Sequence, residues 1–117
     1  METFTLVRPE HLNHKGYLFG GQMLRWVDEF AWLVAAREFP VCTFVTRAMD
    51  DVQFRHQVDN GAILRFSIER NRQGRTSLTY GVEVFAQSPG TREEALVFST
   101  HVTFVNLSAT GEKTPVA

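Results

Sequence analysis

The sequence predicts an α+β domain in which one long helix packs against an antiparallel β-sheet. One segment repeats its apolar residues at three- and four-residue steps, whereas the segments after it alternate polar and apolar residues with the period of a strand. The connections between these later segments are short. Short connections join antiparallel neighbours, because parallel neighbours need long crossovers.

The length and composition predict one folded domain. A chain of 117 residues, 44% of them hydrophobic, is long enough for one core and too short for two. We therefore expect a single domain over residues 1–117. Residues 108–117 are mostly polar and are expected to form a tail.

The helix is predicted from Gly21 to about Phe39. Proline disfavours helical geometry in the residue before it, so Pro40 ends the helix. The apolar residues that recur at helical steps are Met23, Leu24, Val27, Phe30, Ala31, Val34 and Ala35.

Five strands are predicted around this helix. The first covers residues 3–8, and the second begins at Val41 and extends as far as Phe54. Two further strands form a hairpin around residues 71–74, and a last strand follows the turn at residues 88–90. The residues expected to face the core are Leu64, Phe66 and Ile68, then Leu78, Tyr80, Val82 and Val84, then Leu96, Phe98, Val102 and Phe104.

Charge and cysteine content exclude several classes of function. The formal net charge of −1 gives no global field that would attract nucleic acid, and no apolar run reaches the ~20 residues that membrane insertion requires. The lone Cys42 has no partner for an internal disulfide, so a cytoplasmic location is expected. One helix covers only one face of a sheet, and apolar edge strands seek partners, so a homodimer is also expected.

Asp28 is the charged residue whose position on the helix is unusual. On a helical wheel it lies at the border of the apolar stripe, near Leu24, Trp32 and Ala35. A carboxylate there loses hydration and becomes a stronger base, as catalytic carboxylates do. Taken alone, however, such a border residue is more often an ordinary aspartate in contact with water.

Gly20 and Gly21 precede or begin the helix, where backbone N–H groups and the helix dipole favour a developing oxyanion. Glycine would let a substrate approach closely, although a glycine pair is usually only turn chemistry. Asn13 lies in the preceding irregular loop and could orient a water or a carbonyl oxygen, or simply form a turn.

The remaining polar candidates are weaker. The four histidines match no zinc-ligand spacing, so no metal is assigned, and Cys42 is interpreted as a small buried residue. In the hairpin, Arg75, Thr76 and Ser77 combine a positive charge with two hydroxyls and could hold a phosphate, or form a solvated turn. Together with Arg70 and Arg72, Arg75 forms a local basic patch.

The segment from Asn13 to Gly21, with Leu24, Trp26 and Asp28, resembles the acyl-CoA thioester hydrolases of hotdog fold. It is similar to the single-domain YciA-like enzymes and to each half of the tandem cytosolic acyl-CoA hydrolases. The resemblance extends through Gly74–Ser77 to Val105 and so covers nearly the whole chain. The sequence departs from the family pattern at Gln57 and Ala62, both near a turn.

This resemblance implies a helix wrapped by a curved antiparallel sheet, dimers with the active site at their interface, and in many members a hexamer formed as a trimer of dimers. It implies hydrolysis of acyl-CoA to free fatty acid and CoA. Asp28 would act as general base or nucleophile, Asn13 of the neighbouring subunit would position water, and the amides of Gly20 and Gly21 would polarise the thioester carbonyl. Arg75, Thr76 and Ser77 would contact CoA, which is substrate, so no cofactor is implied.

Two other functions remain open on the sequence. An acyl-thioester dehydratase or hydratase of the same fold would pair a histidine with the aspartate, and only His11 and His14 lie near the helix start. A non-catalytic acyl-CoA-binding module would need the pocket without the carboxylate. The presence of Asp28 favours hydrolysis over both.

Overall fold

The computed structural model describes all residues 1–117 and confirms the predicted α+β class. One long helix packs against one five-stranded sheet. The elements are β1 Glu2–Leu6, a 3₁₀ turn Pro9–His11, α1 Gly20–Glu38, β2 Phe44–Phe54, β3 Ile63–Gln73, β4 Ser77–Gln87 and β5 Ala95–Asn106.

The sheet has the order β1-β3-β4-β5-β2, and every neighbouring pair is antiparallel. The connections β3–β4 and β4–β5 are hairpins, as the short turns in the sequence predict. The strand that follows the helix, β2, is therefore placed at one edge, with β5 as its only neighbour within the chain. β1 forms the other edge.

The core lies between one face of α1 and one face of the sheet. The inward alternation predicted for β3 and β4 is confirmed, because the expected apolar residues of both strands are almost completely buried. The buried helix residues are Met23, Trp26, Val27, Ala31, Val34 and Ala35. Each large apolar side chain buried in this way contributes roughly 1.5–3 kcal/mol relative to an exposed one.

The strand β5 differs from its predicted pattern at one position. Val84 pairs with Phe98, but the next residue, Phe85, pairs with Leu96, so Val97 is an extra residue in β5. This β-bulge turns Leu96 to the outer face with Phe85 and buries Val97 beside Phe98. The prediction that Leu96 faces the core was wrong because alternation assumes an unbroken ladder.

The chain on either side of the core is packed more tightly than the sequence indicates. β2 begins at Phe44 rather than Val41, because a turn in which the Cys42 amide donates to the Phe39 carbonyl delays the strand.

Residues 108–117 are polar but fold back on the protein. Val116 is buried, its amide donates to the Arg75 carbonyl, and the buried Asn106 donates to the Pro115 carbonyl.

The C-terminal end of α1 is tied to the sheet. The buried Tyr80 donates a hydrogen bond of 2.6 Å to Glu38, and Arg70 lies 3.7 Å from the same carboxylate. Burial, followed by the bond to Glu38, raises the pKa of Tyr80 above its ordinary range. Nearby, the Trp32 indole donates to the Phe44 carbonyl at 3.0 Å and links the helix to β2.

Several large apolar side chains remain exposed along edge strand β2 and the adjoining face of α1. They are Trp32 on the helix and Val45, Val52 and Phe54 on the strand. The helix is not apolar enough over any long stretch to span a bilayer.

Candidate active site

A cavity of about 320 Å³ lies beside the N-terminal end of α1. It is half-open and is bounded by the loop that precedes the helix and by the segment that follows β2. The Leu18 amide joins these two walls by donating to the Val58 carbonyl at 2.9 Å. The lining residues are Asn13, Lys15, Tyr17, Leu18, Gly20, Met23, Phe54, Arg55, His56, Gln57, Val58 and Val97.

Asn13 lines this cavity as a hydrogen-bond donor. Its side-chain oxygen accepts from the amides of Lys15 at 2.9 Å and Tyr17 at 3.2 Å, which closes the loop around Gly16. The opposite orientation of the side-chain amide would place its NH₂ group against two N–H donors. The NH₂ group of Asn13 has no acceptor within the chain, so it is free to donate to a ligand.

The helix N-terminus carries two further free donors, and of these two residues Gly20 lines the cavity whereas Gly21 does not. The amides of Gln22 and Met23 donate to the Phe19 carbonyl, but the amides of Gly20 and Gly21 have no acceptor within the chain. No acidic residue lies in the first turn of α1. A Cβ atom at Gly21 would come within 2.6 Å of the Phe19 ring, so glycine at this position leaves room beside the free amides.

Asp28 lies two helical turns beyond this cavity and does not line it. It is half-buried, and one carboxylate oxygen accepts a 2.6 Å hydrogen bond from the hydroxyl of Thr46 on β2. Within one chain the structure therefore brings Asn13 and Gly20 together and leaves Asp28 apart from them. Thr46 was not predicted from the sequence, because it becomes a neighbour of Asp28 only when α1 packs against edge strand β2.

The hairpin residues Arg75, Thr76 and Ser77 lie at the other end of the sheet. Phe54 packs beside Gly20. Phe54 pairs with Phe98 on β5, and Phe98 pairs with Val84 on β4, so these three residues lie at the same level of the sheet. Ser77 is seven residues from Val84 along that strand, a separation of about 23 Å. The hairpin of one chain is therefore remote from the cavity of the same chain.

Three basic residues around the cavity were not recognised from the sequence as a group. Lys15 comes from the loop before the helix, whereas Arg55 and His56 follow β2, and no aspartate or glutamate lines the same cavity. Forty positions separate the two walls in the sequence. The only available signal was the density of basic residues in each segment, which does not predict that the segments meet.

The other candidates from the sequence do not converge on this cavity. The His11 ring accepts a hydrogen bond from the Arg8 amide and packs edge-on against Trp26, with ring centres 4.7 Å apart. His101 lies on the outer face of the sheet, as predicted. Cys42 is half-buried, and its thiol donates to the Val116 carbonyl.

Comparisons with known proteins agree with this architecture. The family model described as the thioesterase superfamily matches residues 15–93, a stretch that includes α1 and Asp28. Acyl-coenzyme A thioesterase 11 of the mouse is 35% identical over 100 residues, which cover 86% of this chain and 17% of the mouse protein. The chain spans between 17% and 63% of the length of the first curated relatives.

Solved structures share the fold over almost the whole chain. An apo-hexameric acyl-CoA thioesterase is 30% identical, with a TM-score of 0.90 over 98% of this chain and 73% of that one. An acyl-CoA hydrolase from Staphylococcus aureus, in complex with butyryl coenzyme A and coenzyme A, is 24% identical, with a TM-score of 0.89 over 98% of this chain and 70% of that one.

These similarities confirm the hotdog fold that the sequence resemblance implied. The family match covers more than half of the residues, and it includes the helix on which the candidate carboxylate lies. The chain therefore belongs to the thioesterase superfamily.

Proposed function

We propose that this protein hydrolyses acyl-CoA thioesters to free fatty acid and CoA. The observation that carries this proposal is the convergence of unpaired donors on one cavity. Gly20 and Asn13 both line the cavity, and neither the Gly20 amide nor the Asn13 NH₂ group has an acceptor within the chain. Such donors stabilise the negative charge that develops on a carbonyl oxygen during acyl transfer.

The catalytic carboxylate of this proposal comes from a second chain. Asp28 lies beside β2, an edge strand that carries exposed apolar side chains. Pairing of β2 with a second copy would cover these side chains and bring Asp28 towards the partner's cavity. A homodimer of this kind is the minimal active unit that we propose, and a hexamer, as in the apo-hexameric relative, would contain three of them.

In the proposed reaction, Asp28 acts either as general base or as nucleophile. As a base it would take a proton from a water whose oxygen accepts a hydrogen bond from Asn13. The water oxygen then attacks the thioester carbon, the amides of Gly20 and Gly21 hold the oxyanion, and the C–S bond breaks. The CoA thiolate leaves and takes up the proton from Asp28. Every group is supplied by the two chains, the substrate and water.

Thr46 would hold the catalytic carboxylate in position. Its hydroxyl occupies one oxygen of Asp28 at 2.6 Å and leaves the other oxygen for the reaction. Structures of the S. aureus hydrolase have been solved with an aspartate, an asparagine or a threonine replaced by alanine. The asparagine and aspartate replaced there are 15 positions apart, the same separation as Asn13 and Asp28 here.

We propose that Arg75, Thr76 and Ser77 contact the CoA portion of a substrate bound at the partner's cavity. Within one chain these residues lie at the opposite end of the sheet from Gly20. They would come near a thioester only in a dimer whose two β2 strands pair antiparallel. We further propose a cytoplasmic location, which agrees with a single cysteine that has no disulfide partner.

The test is Asp28→Asn, measured as release of free CoA thiol from acyl-CoA. Loss of the base is expected to lower turnover by ~10²- to 10⁴-fold. Glu29→Gln is the matched control, because it removes a neighbouring exposed carboxylate from the same helix. An Asp28→Asn protein that releases CoA as fast as the parent would contradict the proposal. Formation of enoyl product from 3-hydroxyacyl-CoA would instead indicate a dehydratase.

A further inference from the structure

Edge strand β2 carries two β-bulges, one on each side of Asp50. Between Thr46 and Asp50, four residue steps along β2 match three steps along β5. Between Asp50 and Phe54, four steps along β2 again match three along β5. Each half of this stretch therefore contains one extra residue, and the two halves have equal lengths about Asp50.

The two ends of this stretch contact the two separated parts of the candidate site. At one end, the Thr46 hydroxyl donates to Asp28 at 2.6 Å. At the other end, Phe54 lines the cavity and packs beside Gly20. Thr46 and Phe54 both face the helix, because the β5 residues with which they pair are fully buried. The carboxylate and the free donors are thus tied to β2 at equal separations from Asp50.

We propose that two copies of β2 pair antiparallel with Asp50 at the two-fold axis. This inference rests on the proposed function, because it takes the site to combine Asp28 of one copy with Gly20 of the other. An axis at Asp50 places Thr46 of each copy opposite Phe54 of its partner, so both sites are completed at once. An axis two residues away would separate these two side chains by four residues, about 13 Å, and leave both sites incomplete.

Asp50 lies on the outer face of the sheet, away from the helix. It is exposed, it pairs with His101 of β5 on the same face, and its carboxylate takes part in no ion pair within the chain. A residue at the axis lies opposite its own copy, so the two Asp50 carboxylates face each other with a His101 beside each. Like charges directly opposite weaken strand pairing, and the charge at position 50 therefore controls the strength of the dimer.

The experiment is oxidation of Asp50→Cys, followed by electrophoresis without reductant. Two cysteines at the axis come within the roughly 4.4–6.8 Å between Cα atoms that a disulfide requires, so a cross-linked dimer is expected. Gln53→Cys is the matched control, because Gln53 is exposed on the same face of β2, but its two copies would lie about 13 Å apart. The parent controls for Cys42. Faster cross-linking of Asp50→Cys supports the register, and any other order, or no cross-link in either variant, overturns it.

A second measurement uses the charge at the axis without a new covalent bond. Asp50→Asn keeps the size of the side chain and removes both facing charges, so the Kd of the dimer, measured by sedimentation, should fall about two- to fivefold. Glu93→Gln removes an exposed carboxylate from the loop between β4 and β5 and should leave the Kd unchanged. An Asp50→Asn dimer no tighter than that of the parent would contradict the axis position.

Thiol release from acyl-CoA by the parent separates this inference from the proposed function. If Asp50→Cys forms the cross-link but the parent releases no CoA, the hydrolysis is wrong and the register stands. If the parent releases CoA but Asp50→Cys does not form the cross-link, the register alone is wrong.

Discussion

The two ends of helix α1 differ in how completely their polar groups are paired within the chain. At the N-terminal end the amides of Gly20 and Gly21 have no acceptor, and Lys15 nearby has no carboxylate partner. At the C-terminal end the Phe39 amide donates to the Ala35 carbonyl, and Tyr80 donates to Glu38. The same helix therefore has one open end and one closed end.

Because of this difference, we expect the two helix ends to contribute unequally to ligand binding and to the stability of the fold. A polar group that lacks a partner costs free energy unless water or a ligand satisfies it, so the open end is the place where a ligand gains most by binding. Partners at the closed end are supplied by the sheet itself. Substitutions at the open end should therefore change activity more than stability, and substitutions at the closed end should do the reverse.

Among the substitutions that test this comparison of the two helix ends, the largest effect is expected from Gly21→Ala at the open end. The new methyl group would lie 2.6 Å from the Phe19 ring, which is exposed and can move, but which then crowds the free amides. We expect turnover to fall at least about tenfold, since removal of one oxyanion donor costs ~10²- to 10³-fold. The free energy of unfolding should change by less than about 1 kcal/mol, because alanine favours the helix.

The control for this variant is Gln22→Ala, one position further along the same turn. It leaves Gly20 and Gly21 unchanged, and its turnover should match that of the parent. Parallel measurements of thiol release and urea denaturation distinguish the two effects. Equal turnover in Gly21→Ala and the parent would show that the space beside these amides is not used.

A smaller effect is expected from Tyr80→Phe at the closed end. This change removes the hydrogen bond to Glu38 without removing the buried ring. The free energy of unfolding should decrease by about 1 kcal/mol, measured by urea denaturation, with no change in turnover.

Tyr17→Phe is the matched control, because the Tyr17 hydroxyl makes no hydrogen bond within the chain. The free energy of unfolding of this variant should stay within about 0.5 kcal/mol of the parent value. A larger loss of stability in Tyr17→Phe than in Tyr80→Phe would reverse the comparison.

The smallest effect on the free energy of unfolding is expected from the pair between Arg65 and Glu94. The hydrogen bonds of Arg65 to Glu94, more than its charge, hold the pKa of that carboxyl below its ordinary value of 4.5. A lowered pKa stabilises the fold above pH 4.5, and this stabilisation is lost as the pH falls through the lowered pKa. Both side chains are partly exposed, so solvent screening limits the contribution to below about 1 kcal/mol.

Glu94→Gln tests this pH dependence. The variant should be slightly less stable than the parent at neutral pH, and the difference should shrink in acid, where Glu94 of the parent becomes protonated. Urea denaturation at several pH values provides the measurement. A difference that grows on acidification would show that the carboxylate does not stabilise the fold.

The sequence was sufficient for the fold where the pattern is local. The alternation of Leu64, Phe66 and Ile68 identified β3, and the apolar steps from Met23 to Ala35 identified the helix, because burial of one face repeats with the period of the element. It failed at Val97, where an extra residue in β5 breaks the alternation. It also missed the packing of Val116, which depends on a distant partner, Arg75.

The candidate site was predictable only in part for the same reason. Asn13, Gly20 and Asp28 belong to one continuous stretch whose pattern resembles a known family, so the sequence alone identified them as candidates, and their roles stay predictions. Thr46 and Arg55 become relevant only through tertiary contacts, with α1 and with the loop before it. No sequence period reports such contacts.

The hydrogen bond from Trp32 to the carbonyl of Phe44 gives the protein an intrinsic optical probe. The only two indoles lie six residues apart on one helix, with Trp26 8% exposed in the core and Trp32 40% exposed beside the edge strand. Emission from Trp26 reports whether the core is intact. Emission from Trp32 should respond to the second copy of the chain that we propose pairs with β2. Dilution of the protein should therefore shift the red part of its fluorescence spectrum while the blue part, from the core, stays constant.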